Sequence, residues 1–126
     1  MMDINFLTGE IVDAAFQVHI ELGPGLYEEV YKKAMAFELT QRGLKFTLEQ
    51  KIDVFYKGQD LGLGYRADII VEGRVLIELK SVEALHRVHF KQIQTYLKLT
   101  KIRHGLLINF NEALLKEGLH RIINGY

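Results

Sequence analysis

Tyr65-Arg66-Ala67-Asp68-Ile69-Ile70-Val71-Glu72-Gly73-Arg74-Val75-Leu76-Ile77-Glu78-Leu79-Lys80 is the stretch that decides the fold. Two runs of β-branched and large apolar residues flank Glu72-Gly73-Arg74, the pattern of two strands joined by a tight loop. Residues two apart on a strand share a face, so Glu78 and Lys80 point the same way. Where Asp68 points depends on the loop. A loop of Glu72-Gly73-Arg74 pairs Val71 with Val75 and sets Asp68 directly opposite Glu78, with Cβ atoms about 4.5–5.5 Å apart. A shorter Glu72-Gly73 turn would put the two carboxylates on opposite faces. The longer loop is favoured, with Gly73 left-handed.

Two carboxylates facing each other repel, and the sheet needs something to offset them. A hard divalent cation does so, because Mg²⁺ takes one or two carboxylates and fills its shell with water and phosphate oxygens. Lys80 would bring a cationic nitrogen to the same face, beside an activated water or the charge that develops on phosphorus. The competing reading is a solvated salt network, with Arg66 pairing Glu78 and Asp68 pairing Lys80 diagonally. Spacing alone leaves both open.

Working outward, Ile11, Ala15, Val18 and Leu22 form one helical stripe, predicting a helix over about Thr8 to Leu22 with Thr8 as N-cap. Gly23-Pro24-Gly25 turns the chain. A second helix is expected over about Tyr27 to Arg42, with Val30, Ala34 and Phe37 facing a core and Gly43 as its stop. Phe46 and Leu48, then Ile52, Val54 and Tyr56, read as strand, followed by a turn at Lys57-Gly58-Gln59-Asp60. Beyond Lys80 a third helix spans about Val88 to Thr100, with Phe90, Ile93 and Leu97 on its apolar side. Gly105 to Phe110 reads as a buried strand and Leu119 to Ile123 as a last edge strand. The expected order, α-α-β-β-β-β-α-β-β, is an α/β fold with a central mixed β-sheet flanked by helices.

Composition sets bounds on function. The 126 residues suit one domain spanning 1–126. Sixteen basic residues balance sixteen acidic ones, so no overall basic excess marks a nucleic-acid coat, and any such contact must use a local basic face. The absence of cysteine excludes disulfides, thiolate zinc sites and a cysteine nucleophile. No apolar run reaches the length of a membrane span and no charged start leads into an apolar signal segment, so no membrane partner and a cytoplasmic location are expected. Neither Gly62-Leu63-Gly64 nor Gly23-Pro24-Gly25 carries the Gly-Lys-Ser/Thr of a phosphate loop, and no serine elbow is present.

Other residues bear on the carboxylate pair. Glu28 lies at the start of the second helix, where an acid suits the helix dipole and Lys32 stands at i+4; alternatively it adds a carboxylate that acts through water. Tyr31 shares its face. His89, Gln92 and Tyr96 form a polar-aromatic stripe on the third helix, able to contact substrate or simply to edge the core. Arg87, Lys91, Lys98, Lys101 and Arg103 cluster nearby and offer either a phosphate-tracking face or a solvated one. His19 reads as structural, while His86, His104 and His120 lack ligand spacing.

Gly25-Leu26-Tyr27-Glu28-Glu29-Val30-Tyr31 resembles the signature of the GxxExxY protein family. Tyr65-Arg66-Ala67-Asp68, Ile77-Glu78-Leu79-Lys80, Gln92-x-x-x-Tyr96-Leu97 and Gly105-Leu106-Leu107-Ile108-Asn109-Phe110 resemble its later pieces, in order along nearly the whole chain. That family is placed in the PD-(D/E)XK nuclease-like superfamily, and the Gln-x-x-x-Tyr pair is similar to a motif of RecB-like nucleases. The resemblance implies a restriction-endonuclease-like core. It implies Asp68 and Glu78 as metal ligands with the Leu79 carbonyl as a third, Lys80 as catalytic lysine, and Glu28 as the acid from the preceding helix. Gln92 and Tyr96 would assist at the substrate side. Ala67 stands where the superfamily's name has proline.

Together these readings predict a Mg²⁺- or Mn²⁺-dependent nuclease that hydrolyses phosphodiester bonds in DNA by metal-assisted attack of water. The alternative is a catalytically inactive module of the same fold that binds nucleic acid or a protein. So small a chain offers little surface for gripping a duplex, so a homodimer is a further expectation.

Overall fold

The computed structural model describes residues 2–125. The elements run α1 (Ile4–Leu22), α2 (Glu28–Gln41), β1 (Phe46–Tyr56), β2 (Gln59–Val71), β3 (Val75–Lys80), α3 (Arg87–Thr100), β4 (His104–Asn109), α4 (Leu115–Gly118) and β5 (Leu119–Ile123). The strands form one sheet in the order β1-β2-β3-β4-β5. Only β3 and β4 pair parallel, with α3 as the crossover between them, and the other neighbours are antiparallel. This is the mixed, helix-flanked sheet expected.

The sheet separates two cores. On one face Leu7, Ile11, Tyr31, Met35 and Leu115 from the helices pack on Ile69, Val71, Val75, Ile77, Leu79 and Ile108. On the other, Ile93, Tyr96 and Leu97 of α3 pack on Ile52, Ala67, Ile70, Leu76 and Leu107. Covered on both faces, β3 is buried from Val75 to Leu79, which is why its sequence is nearly continuously apolar. Glu78 interrupts that run at 3 % exposure. Gly105 lets α3 approach β4 closely: a Cβ there would stand 3.0 Å from a Leu97 methyl and 3.1 Å from one of Ile93.

Local details depart from the sequence reading. The cap of α1 is Asp3, whose side chain accepts from the Asn5 amide at 2.7 Å, while Thr8 is buried inside the helix and donates to the Ile4 carbonyl. Both residue types cap helices, and Leu7 extends the apolar stripe upstream of Thr8. In α2 the buried residues are Tyr31, Met35 and Leu39, whereas Val30 and Phe37 are exposed. Apolar residues occupy two sides of this helix, so spacing admitted two stripes. Tyr31 belongs to the buried one because its hydroxyl finds partners there. The two β-like pieces before the first turn are one strand, β1, broken by Glu49 at φ +52°.

Candidate active site

Pairing of Ile70 with Leu76 and Val71 with Val75 sets the register of β2 on β3. It is the register of the longer loop, with Gly73 left-handed as expected and Glu72 left-handed beside it. Extended by one rung beyond Ile69 and Ile77, this register places Asp68 opposite Glu78. There the two side chains reach across to the opposite backbone. The Asp68 amide donates to Glu78 Oε2 at 2.8 Å, and the Leu79 amide donates to Asp68 Oδ2 at 2.8 Å. Each carboxylate thus takes the part of a carbonyl acceptor, and the pair is fixed by main chain. The exchange engages one oxygen of each group and does not commit Asp68 Oδ1 or Glu78 Oε1.

The arrangement is electrostatically unfavourable when both groups are ionised. Burial pushes the Glu78 carboxyl up to about 8, and repulsion from Asp68 adds to it. Asp68 is also raised, chiefly by burial, against the lowering effects of the Leu79 amide and of the charges of Lys32 and Lys80. Buried carboxylates side by side hold a proton or a cation more readily than a free pair.

Lys80 closes β3 on the same face as Glu78, in register with Asn109 of β4. Its charge draws both carboxyls down. Just beyond it the chain is pinned at three places. The Phe110 amide donates to the Lys80 carbonyl at 2.9 Å, and Ser81 Oγ donates to the Leu26 carbonyl at 2.5 Å. Asn109, fully buried, accepts from the Val82 amide at 3.1 Å and donates to the Val82 carbonyl at 2.9 Å.

Glu28 is the first residue of α2, and its charge acts on Asp68, Glu78 and His89. The entrance of that helix is held by Tyr31, whose hydroxyl donates to the Gly23 carbonyl at 2.5 Å and accepts from the Leu26 amide at 3.1 Å. Its ring stacks on Phe110 at 4.5 Å. Tyr31 therefore anchors the Gly23-Pro24-Gly25 turn. Among the described residues no group of three or more His, Asp or Glu side chains comes together as a metal cluster.

On α3, Gln92 Nε2 donates to the Tyr96 hydroxyl at 3.1 Å, and the Tyr96 ring lies 5.3 Å from that of Tyr65. Burial raises Tyr96, with a further rise from Glu78 and Asp68, so this helix face looks onto the carboxylates. His89 is drawn into the capping of α3, its Nδ1 accepting from the His86 amide at 2.9 Å. Burial and the charge of Lys80 lower its pKa. His19 donates to the Glu112 carbonyl at 2.8 Å and is structural. The sequence reading missed Ser81, Asn109 and Lys32 as supports. The signal for Asn109 was available, since a polar amide ending a buried apolar strand must find partners.

A family model of the PD-(D/E)XK nuclease superfamily matches residues 5–122. The chain belongs to that superfamily. Its mixed sheet of five strands with flanking helices agrees with the restriction-endonuclease-like fold of the PD-(D/E)XK proteins. Members of the superfamily are in general nucleases and typically use divalent metal ions. No curated protein and no solved structure matches the chain. No helix among the described residues is long and apolar enough to cross a membrane.

Proposed function

We propose that this PD-(D/E)XK protein is a Mg²⁺-dependent nuclease that hydrolyses phosphodiester bonds in DNA, with Mn²⁺ able to replace Mg²⁺. The observation that carries the reading is the crossed pair of half-buried Asp68 and buried Glu78, mutually repelling and held by the amides of Leu79 and Asp68. The donor set fits a hard cation: two carboxylates, each with one uncommitted oxygen, and the carbonyl of Leu79, the residue that follows Glu78. A pair of carboxylates suits Mg²⁺, which takes one or two, keeps waters and accepts substrate phosphate. When bound, the ion supplies Lewis-acid polarisation of the phosphate and lowers the pKa of water.

The chain's own residues supply the rest. Asp68 and Glu78, with the Leu79 carbonyl, would hold the ion at the open end of the β2–β3 pair. Lys80 places its ammonium beside the nucleophile and offsets the negative charge that develops as the water oxygen bonds to phosphorus and the P–O bond to the leaving oxygen breaks. Glu28, exposed at the entrance of α2, accepts a hydrogen bond from water on the substrate side. Gln92 and Tyr96 face the pair from α3 and orient the substrate strand. The motif around Glu28 and Tyr31 supports a narrower placement in the GxxExxY family.

The test is cleavage of single-stranded, duplex and branched DNA, and of RNA, with Mg²⁺, Mn²⁺ or a chelator. Metal-dependent cleavage that is lost in Asp68→Asn and in Lys80→Ala supports the reading. Cleavage that survives in both variants overturns the roles given to Asp68 and Lys80, and binding of DNA without turnover on any substrate overturns the reading in favour of an inactive binding module.

A further inference from the structure

The rung that carries Asp68 on β2 carries Glu49 on β1, between the pairs Leu48–Ile69 and Gln50–Ala67. Both strands change face there. Phe46 packs in the α1–α2 core and Ile52 in the α3 core, although an even number of residues separates them. Ile69 and Val71 lie in the first core, whereas Ala67, two residues from Ile69, lies in the second. Glu49 is left-handed, φ +52°, a conformation that is costly for a residue with a side chain and persists where surrounding contacts impose it. A break of this kind re-aims the side chains around it.

The contact on that break is Lys32. Its side chain is only 12 % exposed and its ammonium is paired with Glu49 and, at 2.9 Å, with Glu29. Lys32 stands one helical turn after Glu28 on α2, and its positive charge also reaches Asp68. One cation therefore joins the helix that presents Glu28 to the strand rung that presents Asp68.

We propose that Lys32 is a positioning residue: its ion pair with Glu49 holds the left-handed break in β1 and, through that rung, keeps Asp68 turned across to the Leu79 amide. It rests on the reading of Asp68 as a metal ligand only for its consequence in function, not for its structural content. Hydrogen exchange of single backbone amides tests that content directly, since the amide of Leu79 is bonded to Asp68 and the amide of Asp68 to Glu78. In Lys32→Met and in Glu49→Gln, the Leu79 and Asp68 amides are expected to exchange about tenfold faster, while the amides of Ile77 and Val75 keep their rates. Lys32→Arg, which keeps the charge, is expected to restore slow exchange. In Lys32→Met and Glu49→Gln, Mn²⁺ affinity is expected to fall by about tenfold, the effect of losing a support behind the ligand.

Leu79 and Asp68 amides that exchange in Lys32→Met as in the wild type overturn the proposal. So does uniform acceleration across β2 and β3, which would make the pair a general stabiliser. Selective acceleration in a protein whose wild type takes up no Mn²⁺, with or without DNA, would uphold the positioning role while refuting the metal reading.

Discussion

At the scale of single residues, the pair Asp68 and Glu78 governs how stability depends on pH. Glu78 is raised in the folded protein from an ordinary 4.5 to about 8, and Asp68 moves the same way. A carboxyl that binds its proton more tightly when folded stabilises the fold below its unfolded pKa and loses that contribution as pH rises through the folded value. The metal-free protein should therefore melt at progressively lower temperature between about pH 5 and pH 8. Glu78→Gln should flatten that slope, as should added Mg²⁺, which favours the ionised pair. Melting followed by circular dichroism across this range checks it, and a metal-free protein that grows more stable toward pH 8 contradicts the close pair. Lys80→Ala should leave the melting temperature nearly unchanged and lower the rate of metal-dependent cleavage about 10²–10⁴-fold, measured under single turnover. Most of this site was legible before the structure. The loop chemistry of Glu72-Gly73-Arg74 fixes the register, and a register fixes which carboxylates meet. The crossed bonds to the backbone were not legible, because two facing acids can splay, pair with Arg66 and Lys80, or turn to the main chain with the same spacing.

At the scale of elements, the entrance of α2 depends on one hydroxyl. Tyr31→Phe removes both hydrogen bonds that hold Gly23 and Leu26 and should cost about 1–3 kcal/mol in urea unfolding, with the ring stacking on Phe110 retained. Because Ser81 also grips Leu26, the loosened turn should reduce cleavage by more than the lost stability explains under conditions where the protein stays folded. Full activity in Tyr31→Phe would separate that turn from the site. The buried face of α2 shows where sequence reading falls short. Val30, Ala34 and Phe37 have helical spacing as good as that of Tyr31, Met35 and Leu39, and only the partners available to the tyrosine hydroxyl decide between them. The break at Glu49 leaves no trace in composition, since its left-handed backbone is imposed by the ion pair with Lys32 rather than by a glycine. Helix α4 is four residues long, too short for any periodicity to announce it. The buried strands β3 and β4 were readable for the opposite reason: a central strand covered on both faces must be apolar throughout.

At the scale of the whole molecule, the balance of sixteen basic and sixteen acidic residues limits how the protein holds a polyanion. Affinity for DNA should be weakly dependent on salt, with log K falling against log salt at a slope of about −2 to −4, the signature of few phosphate contacts. Fluorescence anisotropy in Ca²⁺ over a range of salt checks this, and a slope steeper than about −6 would reveal a basic face that composition conceals. The restriction-endonuclease-like sheet then matters chiefly as the frame that carries Asp68, Glu78 and Lys80 where the β2–β3 pairing opens away from its loop, between the start of α2 and the Gln92–Tyr96 face of α3. The most direct test of that account is calorimetric titration of Mn²⁺ into the protein, alone and with uncleavable DNA, beside the Asp68→Asn/Glu78→Gln double variant. Saturable uptake by the wild type that disappears in the variant is the predicted result. Equal uptake by both, or none by either even with DNA present, would contradict the claim that this carboxylate pair is a metal site.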